Sequence, residues 1–303
     1  MGVVSLSTMW AQQERFADIE LFRQAVAALG YTAIEVSHST DEPRLEVLMQ
    51  DGLIPLSGLH APTPRVRLPD GRWNSDANLA STDEEHRRLA LDHTKRTIDF
   101  ARSAGVRYVV VHLGGIGDDM TEMEKRLRRL YDSGVRAGDE VESLREQARQ
   151  HRAAGAEAHL AAARRSLREL VDYADGIAIG LENRYNYHEI PTADEALLLV
   201  ADYTNDLVGY WHDVGHAEVQ HRLGLLDRHS WFPKLTSRTI GAHLHDVDGI
   251  GDHRAPGNGD VDWSYIAAGL PKAAIRVLEI DQRQPDAAVA GAPAFLRARG
   301  VIE

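Results

Sequence analysis

Residues 243–263 read HLHDVDGIGDHRAPGNGDVDW. Three histidines, five aspartates and an arginine crowd a segment rich in glycine. Directly before it runs an apolar stretch from Thr239 to Ala242, which reads as a buried strand whose carboxyl end opens into a polar loop. In a closed barrel of parallel strands, that end of the strand is where chemistry is placed.

Working outward, short apolar runs alternate with longer segments of helical period, the pattern of repeated βα units. Eight runs qualify as strands: Val3 to Thr8, Ala33 to Ser37, Ile54 to His60, Tyr108 to Leu113, Ile177 to Glu182, Leu207 to Asp213, Ile240 to His245 and Ile275 to Ile280. Helices are expected over Ile19 to Leu29, Thr82 to Ala104, Thr192 to Asp202 and Asp286 to Arg299. Gly30, Gly105 and Gly176 each stand just before a strand, where a left-handed residue ends the preceding helix. Eight units argue for a single (β/α)8 TIM barrel over residues 1–303, rather than an open doubly wound sheet. The glycine-rich phosphate turn of the open sheet is missing; Gly114-Gly115-Ile116-Gly117 is the nearest approach and its spacing is wrong. One unit is oversized. Residues 118–175, after the fourth strand, run through charged, alanine-rich sequence and read as a helical insertion of two or three helices. Its charge density is that of a solvated excursion; a lid or an oligomer contact is the functional alternative, so a homo-oligomer is left open.

The chain has 303 residues, 43% hydrophobic and 26% charged, the composition of a globular domain with a full core. A formal charge of -12 repels polyphosphate and disfavours nucleic acid as a partner. Cysteine is absent, which removes disulfides, thiolate ligands and a cysteine nucleophile together. No apolar run approaches membrane-spanning length and no N-terminal stretch has the form of a secretion signal, so a cytoplasmic location is the expectation.

The informative regularity is the residue on which each apolar run ends. Strand three ends at His60, strand four at His112, strand five at Glu182, strand six at Asp213 with His216 following, strand seven at His243 and His245, and strand eight at Glu279. Ligating or charged side chains within apolar runs are costly to bury unless paired or metal-bound. In a barrel these ends converge on one mouth, so carboxylates from strands five and eight, Asp213 and a histidine form an oxygen-rich site for a divalent ion such as Mn, Mg, Co or Zn. Taken singly, Glu182 could pair with Arg184, and Glu279 with Arg276 or Arg283.

With those residues placed, the chain resembles the xylose isomerase-like barrel superfamily of sugar isomerases, epimerases and endonuclease IV. The likeness is strongest from Gly180 to Asp281, where LEN, HDVGH, HLHD, RAPGNGDVDW and VLEI stand in the family's order. The resemblance implies one divalent metal ion held by Glu182, Asp213, His243 and Glu279. His245 is the rival for the histidine role, because residues two apart on a strand face the same way; the HxxD spacing that ends on Asp246 favours His243. The resemblance further implies that Glu182 and Glu279 serve as opposed bases in an enediolate mechanism, with His216 and Arg254 holding substrate oxygens. His60, His112, His245 and His253 fall on the substrate side. The substrate would be a small sugar, ketose, polyol or inositol derivative, and no organic cofactor is required.

Two other activities share these residues. Metal-assisted dehydration of a keto-polyol starts from the same enediolate. An endonuclease IV-like phosphodiester hydrolase would use His60, His112, His216 and His253 as additional metal ligands; against it, Gly251 stands where that enzyme has an aspartate, and Asp252 is displaced by one residue. A barrel that binds without turnover is the third class. Trp10, Tyr185, Tyr187, Trp211 and Trp263 are candidates for a sugar-stacking wall or for packing, and NRYNYHEIP (183–191) is expected to border the substrate.

Overall fold

Eight apolar runs become eight parallel strands in the computed structural model, which describes residues 3–117 and 120–303. They are β1 (Val4–Ser7), β2 (Ala33–Val36), β3 (Leu56–His60), β4 (Tyr108–Val111), β5 (Ala178–Glu182), β6 (Val208–Asp213), β7 (Thr239–Leu244) and β8 (Ile275–Leu278). Each pairs with its neighbour in sequence, and β8 returns to β1 through the register Val4↔Arg276 and Leu6↔Leu278. The sheet is therefore a closed (β/α)8 barrel without a free edge. Strands buried on both faces read as continuous apolar runs, which is why YVVV of β4 and AIGLE of β5 stand out in the sequence.

Ten α-helices are described: α1 (Ile19–Ala28), α2 (Glu42–Leu48), α3 (Glu84–Ser103), α4 (Glu122–Asp132), α5 (Asp139–Ala174), α6 (Ala193–Val200), α7 (Val214–Arg222), α8 (Trp231–Leu235), α9 (Trp263–Gly269) and α10 (Asp286–Ala298). Their starts follow side-chain capping: Asp18, Asp41, Asp83, Thr121 and Thr192 each accept a backbone N–H from the first turn. Gly30, Gly105 and Gly176 adopt φ of 83, 67 and 87°, as expected of residues that turn the chain from helix to strand. Among the described residues no helix is long and apolar enough to cross a membrane.

The excursion after β4 consists of α4 and α5; residues 118 and 119, at its start, lie outside the described residues. It is not simply solvated. Three of its charged residues are buried and grip the loop that follows β5. Glu124, 1% exposed, accepts the backbone N–H of Tyr187 and of His188. Arg128 donates to the carbonyl of Tyr185 at 3.0 Å. Arg152 donates to the carbonyls of Tyr187 and Glu189 and makes a two-toothed ion pair with Glu195, both contacts 2.7 Å. Charge that reads as a helix surface thus satisfies backbone groups of a site loop.

Against the same loop, β7 runs into a hairpin of Asp246–Asp248 and Gly251–Arg254, at whose turn the Ile250 carbonyl accepts from the Tyr185 hydroxyl at 3.1 Å. Asp246, fully buried, ties this region together. One oxygen accepts from the backbone N–H of Val247 and Val261; the other accepts from Gly257 N and the indole N–H of Trp263. The aspartate of HLHD is thereby a loop anchor, and the segment RAPGNGDVDW is folded around it.

Candidate functional site

The ends of β5 to β8 bring four ligating side chains to one point. Glu182 closes β5, Asp213 closes β6, His243 is paired across the ladder with both Asp213 and Val277, and Glu279 follows β8 directly. One donor atom from each lies within 4.8 Å of the others, and none of the four residues is more than 1% exposed. His243 Nδ1 is the centre: Glu182 Oε1 is 2.6 Å away, Glu279 Oε2 3.2 Å and Asp213 Oδ2 3.8 Å.

Three carboxylates converging in a buried position repel one another unless a positive charge sits among them. The titration directions express this. Burial opposes charge at His243, yet Glu279, Glu35 and Glu182 raise its imidazole well above the ordinary range. Burial likewise works against the carboxylate form of Glu182 and Glu279, but His243 and the surrounding histidines hold both well below the usual carboxylate range. Asp213 is lowered against its burial by His216 and His245. Glu279 Oε1 is buried without a hydrogen-bond partner. A set of three ionised carboxylates, one imidazole and a free carboxylate oxygen is the donor chemistry of a hard or borderline divalent cation.

Strands β3 and β4 supply a second cluster. His60 and His112 face each other through their Nε2 atoms at 2.7 Å, and His112 Nε2 is 2.5 Å from Glu182 Oε2. His60 Nδ1 lies 3.6 Å from Glu279 Oε1. His60 is pushed up to about 9, because the two glutamates outweigh the effect of burial. His38, two residues beyond β2, packs its ring 5.0 Å from His60 and 5.5 Å from His112. Burial and the neighbouring His60 push it down to about 3. Sequence reasoning missed His38, which stands one residue beyond the expected strand Ala33 to Ser37 and far from the Gly180 to Asp281 region that carries the resemblance.

Asp213 has two tasks. It ends β6 and also caps α7, accepting the backbone N–H of His216 at 2.6 Å. That cap turns His216 back toward the mouth, where its Nδ1 donates to the carbonyl of Asn183 at 3.0 Å. His245 Nε2 contacts both Asp213 oxygens, at 3.0 and 2.9 Å, and so holds the carboxylate from behind, while His243 stands among the carboxylates. The HDVGH glycine is required by this contact: a Cβ on Gly215 would lie 2.1 Å from His245 Cε1. His253, with φ of 54°, stacks on His245 at 4.2 Å and reaches Glu279 Oε2 at 3.5 Å. The one-residue displacement of Asp252 does not remove it from the cluster, because the turned backbone of the hairpin leaves its carboxylate 3.1 Å from His253 and 3.8 Å from His216.

Above these groups opens a cavity of about 910 Å3, lined by His38, His60, His112, His216, His253 and Glu279 at its floor. The NRYNYHEIP loop supplies Arg184, Tyr185, Asn186, His188 and Glu189 to its wall. Arg184 is fixed between Glu182 (3.3 Å) and Glu189 (3.0 Å). Arg254 does not line the cavity; its guanidinium approaches Asp248 at 3.5 Å. Of the five candidate wall aromatics, Tyr185 alone borders the cavity: Trp10, Trp211 and Trp263 are core residues, and Tyr187 packs at the core's margin.

A model of the xylose isomerase-like TIM barrel family matches residues 23–299. No curated protein matches the chain. Among solved structures, D-psicose 3-epimerase from Clostridium cellulolyticum H10, crystallised with D-tagatose, is similar with a TM-score of 0.67 at 17% identity, covering 99% of each chain. L-ribulose 3-epimerase has a TM-score of 0.67 at 15% identity, covering 99% of this chain and 95% of that one. The IOLI protein with a zinc atom has a TM-score of 0.65 at 14% identity, covering 99% of this chain and 98% of that one. At such identities the likeness speaks for the fold. With the family model spanning all but the two ends, the chain belongs to the xylose isomerase-like TIM barrel family.

Proposed function

We propose that the protein is a divalent-metal-dependent isomerase or epimerase acting on a small sugar, ketose or inositol derivative. The observation that carries this reading is the convergence of Glu182, Asp213, His243 and Glu279 on one point at the floor of a polar cavity. The similar structures whose names are D-psicose 3-epimerase and L-ribulose 3-epimerase favour a ketose. The four residues would hold the cation, and a bound divalent ion would supply an electrophile for a carbonyl and its neighbouring hydroxyl.

The remaining work falls to side chains. Glu279 borders the cavity, and its Oε1, 3.6 Å from His60 Nδ1, accepts no hydrogen bond, so it is the base that takes the proton from the carbon beside the carbonyl. Glu182, directly behind the lining residues His112 and Arg184, would pass to the carbon the proton that His60 carries 3.4 Å from its Oε2, and Glu279 would then return the proton it took to His60, 3.6 Å away; the two glutamates exchange tasks in the reverse direction. His216 and His253 hold substrate hydroxyls. Arg184 takes over the cationic part that sequence assigned to Arg254, since it lines the cavity and Arg254 does not. The same set would serve dehydration of a keto-polyol if a hydroxyl leaves before the proton returns.

The test is solvent deuterium uptake at the carbon beside the carbonyl, followed by NMR over a panel of ketoses and inososes with Mn, Co or Zn present. Uptake is expected in the parent protein and suppressed by at least about 100-fold in Glu182→Gln and in Glu279→Gln. Undiminished uptake in both variants rejects their roles as bases.

A second reading has its own support. His60, His112 and Glu182 form one further group of donors, and Asp213, His216, His245 and His253 another. Both share a carboxylate with the four-residue site, an arrangement suited to several metal ions and phosphodiester hydrolysis. The formal charge of -12 argues against a DNA backbone as substrate. Cleavage of an oligonucleotide carrying an abasic site by zinc-loaded protein would favour it.

A further inference from the structure

We infer that Glu35, inside the barrel beneath the site, is a positioning residue that determines which nitrogen of His243 is turned toward the cation. The inference rests on the metal-site reading given above. Glu35 lies on β2, is fully buried, and does not line the cavity. A carboxylate in that location is costly unless both oxygens are satisfied. Both are. Oε1 is 2.8 Å from His243 Nε2, and Oε2 accepts from the Tyr108 hydroxyl at 3.1 Å. Tyr108 Oη lies 3.0 Å from Ser57 Oγ, to which Ser5 donates at 2.8 Å. A line of polar contacts thus runs up the barrel axis from β1 through β3, β4 and β2 to His243 on β7.

With Oε2 taken by the Tyr108 hydroxyl, Glu35 presents Oε1 as a hydrogen-bond acceptor 2.8 Å from a ring nitrogen of His243, and a hydrogen bond there places the hydrogen on that nitrogen. That nitrogen is Nε2. The other, Nδ1, is the atom that Glu182, Glu279 and Asp213 surround at 2.6, 3.2 and 3.8 Å. Glu35 therefore fixes the ring's orientation and leaves Nδ1 as the donor to a cation, the arrangement in which a carboxylate behind a ligating histidine raises its basicity. Glu35, His60 and His243 also come close enough to hold an ion between them, but that would require Glu35 to give up its contact with Nε2.

The experiment measures zinc and manganese affinity by competition with a chromogenic chelator, together with thermal unfolding of the metal-free protein. Glu35→Gln keeps the side-chain shape and one acceptor; Tyr108→Phe leaves Glu35 in place and removes its second partner. Metal affinity is expected to weaken about 10- to 100-fold in Glu35→Gln and by less in Tyr108→Phe, with both variants folded. A residue that merely fills the barrel would lower the unfolding midpoint and leave the dissociation constant unchanged. Dissociation constants within twofold of the parent in both variants overturn the inference alone. A parent protein that binds neither metal overturns the site reading and the inference together.

Discussion

Glu182 and Glu279, carried by strands on opposite sides of β6 and β7, reach the same nitrogen of His243, one at 2.6 Å and the other at 3.2 Å. With Asp213 beside them, three buried carboxylates share one imidazole at the floor of the cavity. A cation that replaces this arrangement binds the folded state and not the unfolded one. Divalent metal at 100 times its dissociation constant is therefore expected to stabilise the protein by about 2.7 kcal/mol. Differential scanning calorimetry with Mn, Co or Zn against a chelator reads the shift. Identical unfolding with and without metal would show that the four groups do not hold one.

Gly215 sets the distance between α7 and β7. An added Cβ would meet the ring atoms Cε1 and Nδ1 of His245 at 2.1 and 2.5 Å, so Gly215→Ala must displace the imidazole that holds both oxygens of Asp213. The variant is expected to lose about 1–3 kcal/mol and to bind metal more weakly. Gly291, inside α10, is the control, because a Cβ added there would meet nothing within 4 Å. Gly291→Ala is expected to gain about 0.5–1 kcal/mol with metal affinity unaltered. Urea unfolding and metal titration of the pair separate crowding at His245 from a general effect of alanine.

The ion pair between Arg152 and Glu195 makes stability depend on pH. Burial pulls the Glu195 carboxyl upward, but the Arg152 guanidinium and the Thr192 backbone hold it below the ordinary value. A group whose folded value is depressed adds stability above its unfolded value, about 4.3 for glutamate, and loses it as pH falls through the folded value. Glu195→Gln is expected to cost about 2–4 kcal/mol at pH 7, because Arg152 stays buried without its counter-charge. Denaturant unfolding at pH 7 and pH 3 should show the gap between parent and variant closing at the lower pH. A gap of constant size would mean that the pair does not tie α5 to the start of α6 through an ionised Glu195.

All eight strands were legible because parallel strands covered on both faces leave uninterrupted apolar runs, and Glu182, Asp213, His243 and Glu279 were legible because each interrupts such a run at the same end. Glu35 was not. It stands inside AIEV, where a single acidic residue reads as one turned outward, and its partner His243 is 208 residues away. Glu124, Arg128 and Arg152 were hidden for a different reason: in a segment dense with charge, composition does not distinguish the few side chains that turn inward to bind carbonyls from the many that meet solvent. That Arg184 lines the cavity and Arg254 does not was not legible either, because the direction in which a loop arginine extends follows its ion-pair partners, Asp248 for Arg254 and Glu182 with Glu189 for Arg184.

The most direct measurement is the number of metal ions per chain and the residues that ligate them, from anomalous diffraction of crystals grown with zinc and without chelator. One ion per chain, ligated by Glu182, Asp213, His243 through Nδ1 and Glu279, is the predicted result. Three ions that also engage His60, His112, His216 and His253 would contradict it in favour of the hydrolase, and no ion at that point would contradict it altogether.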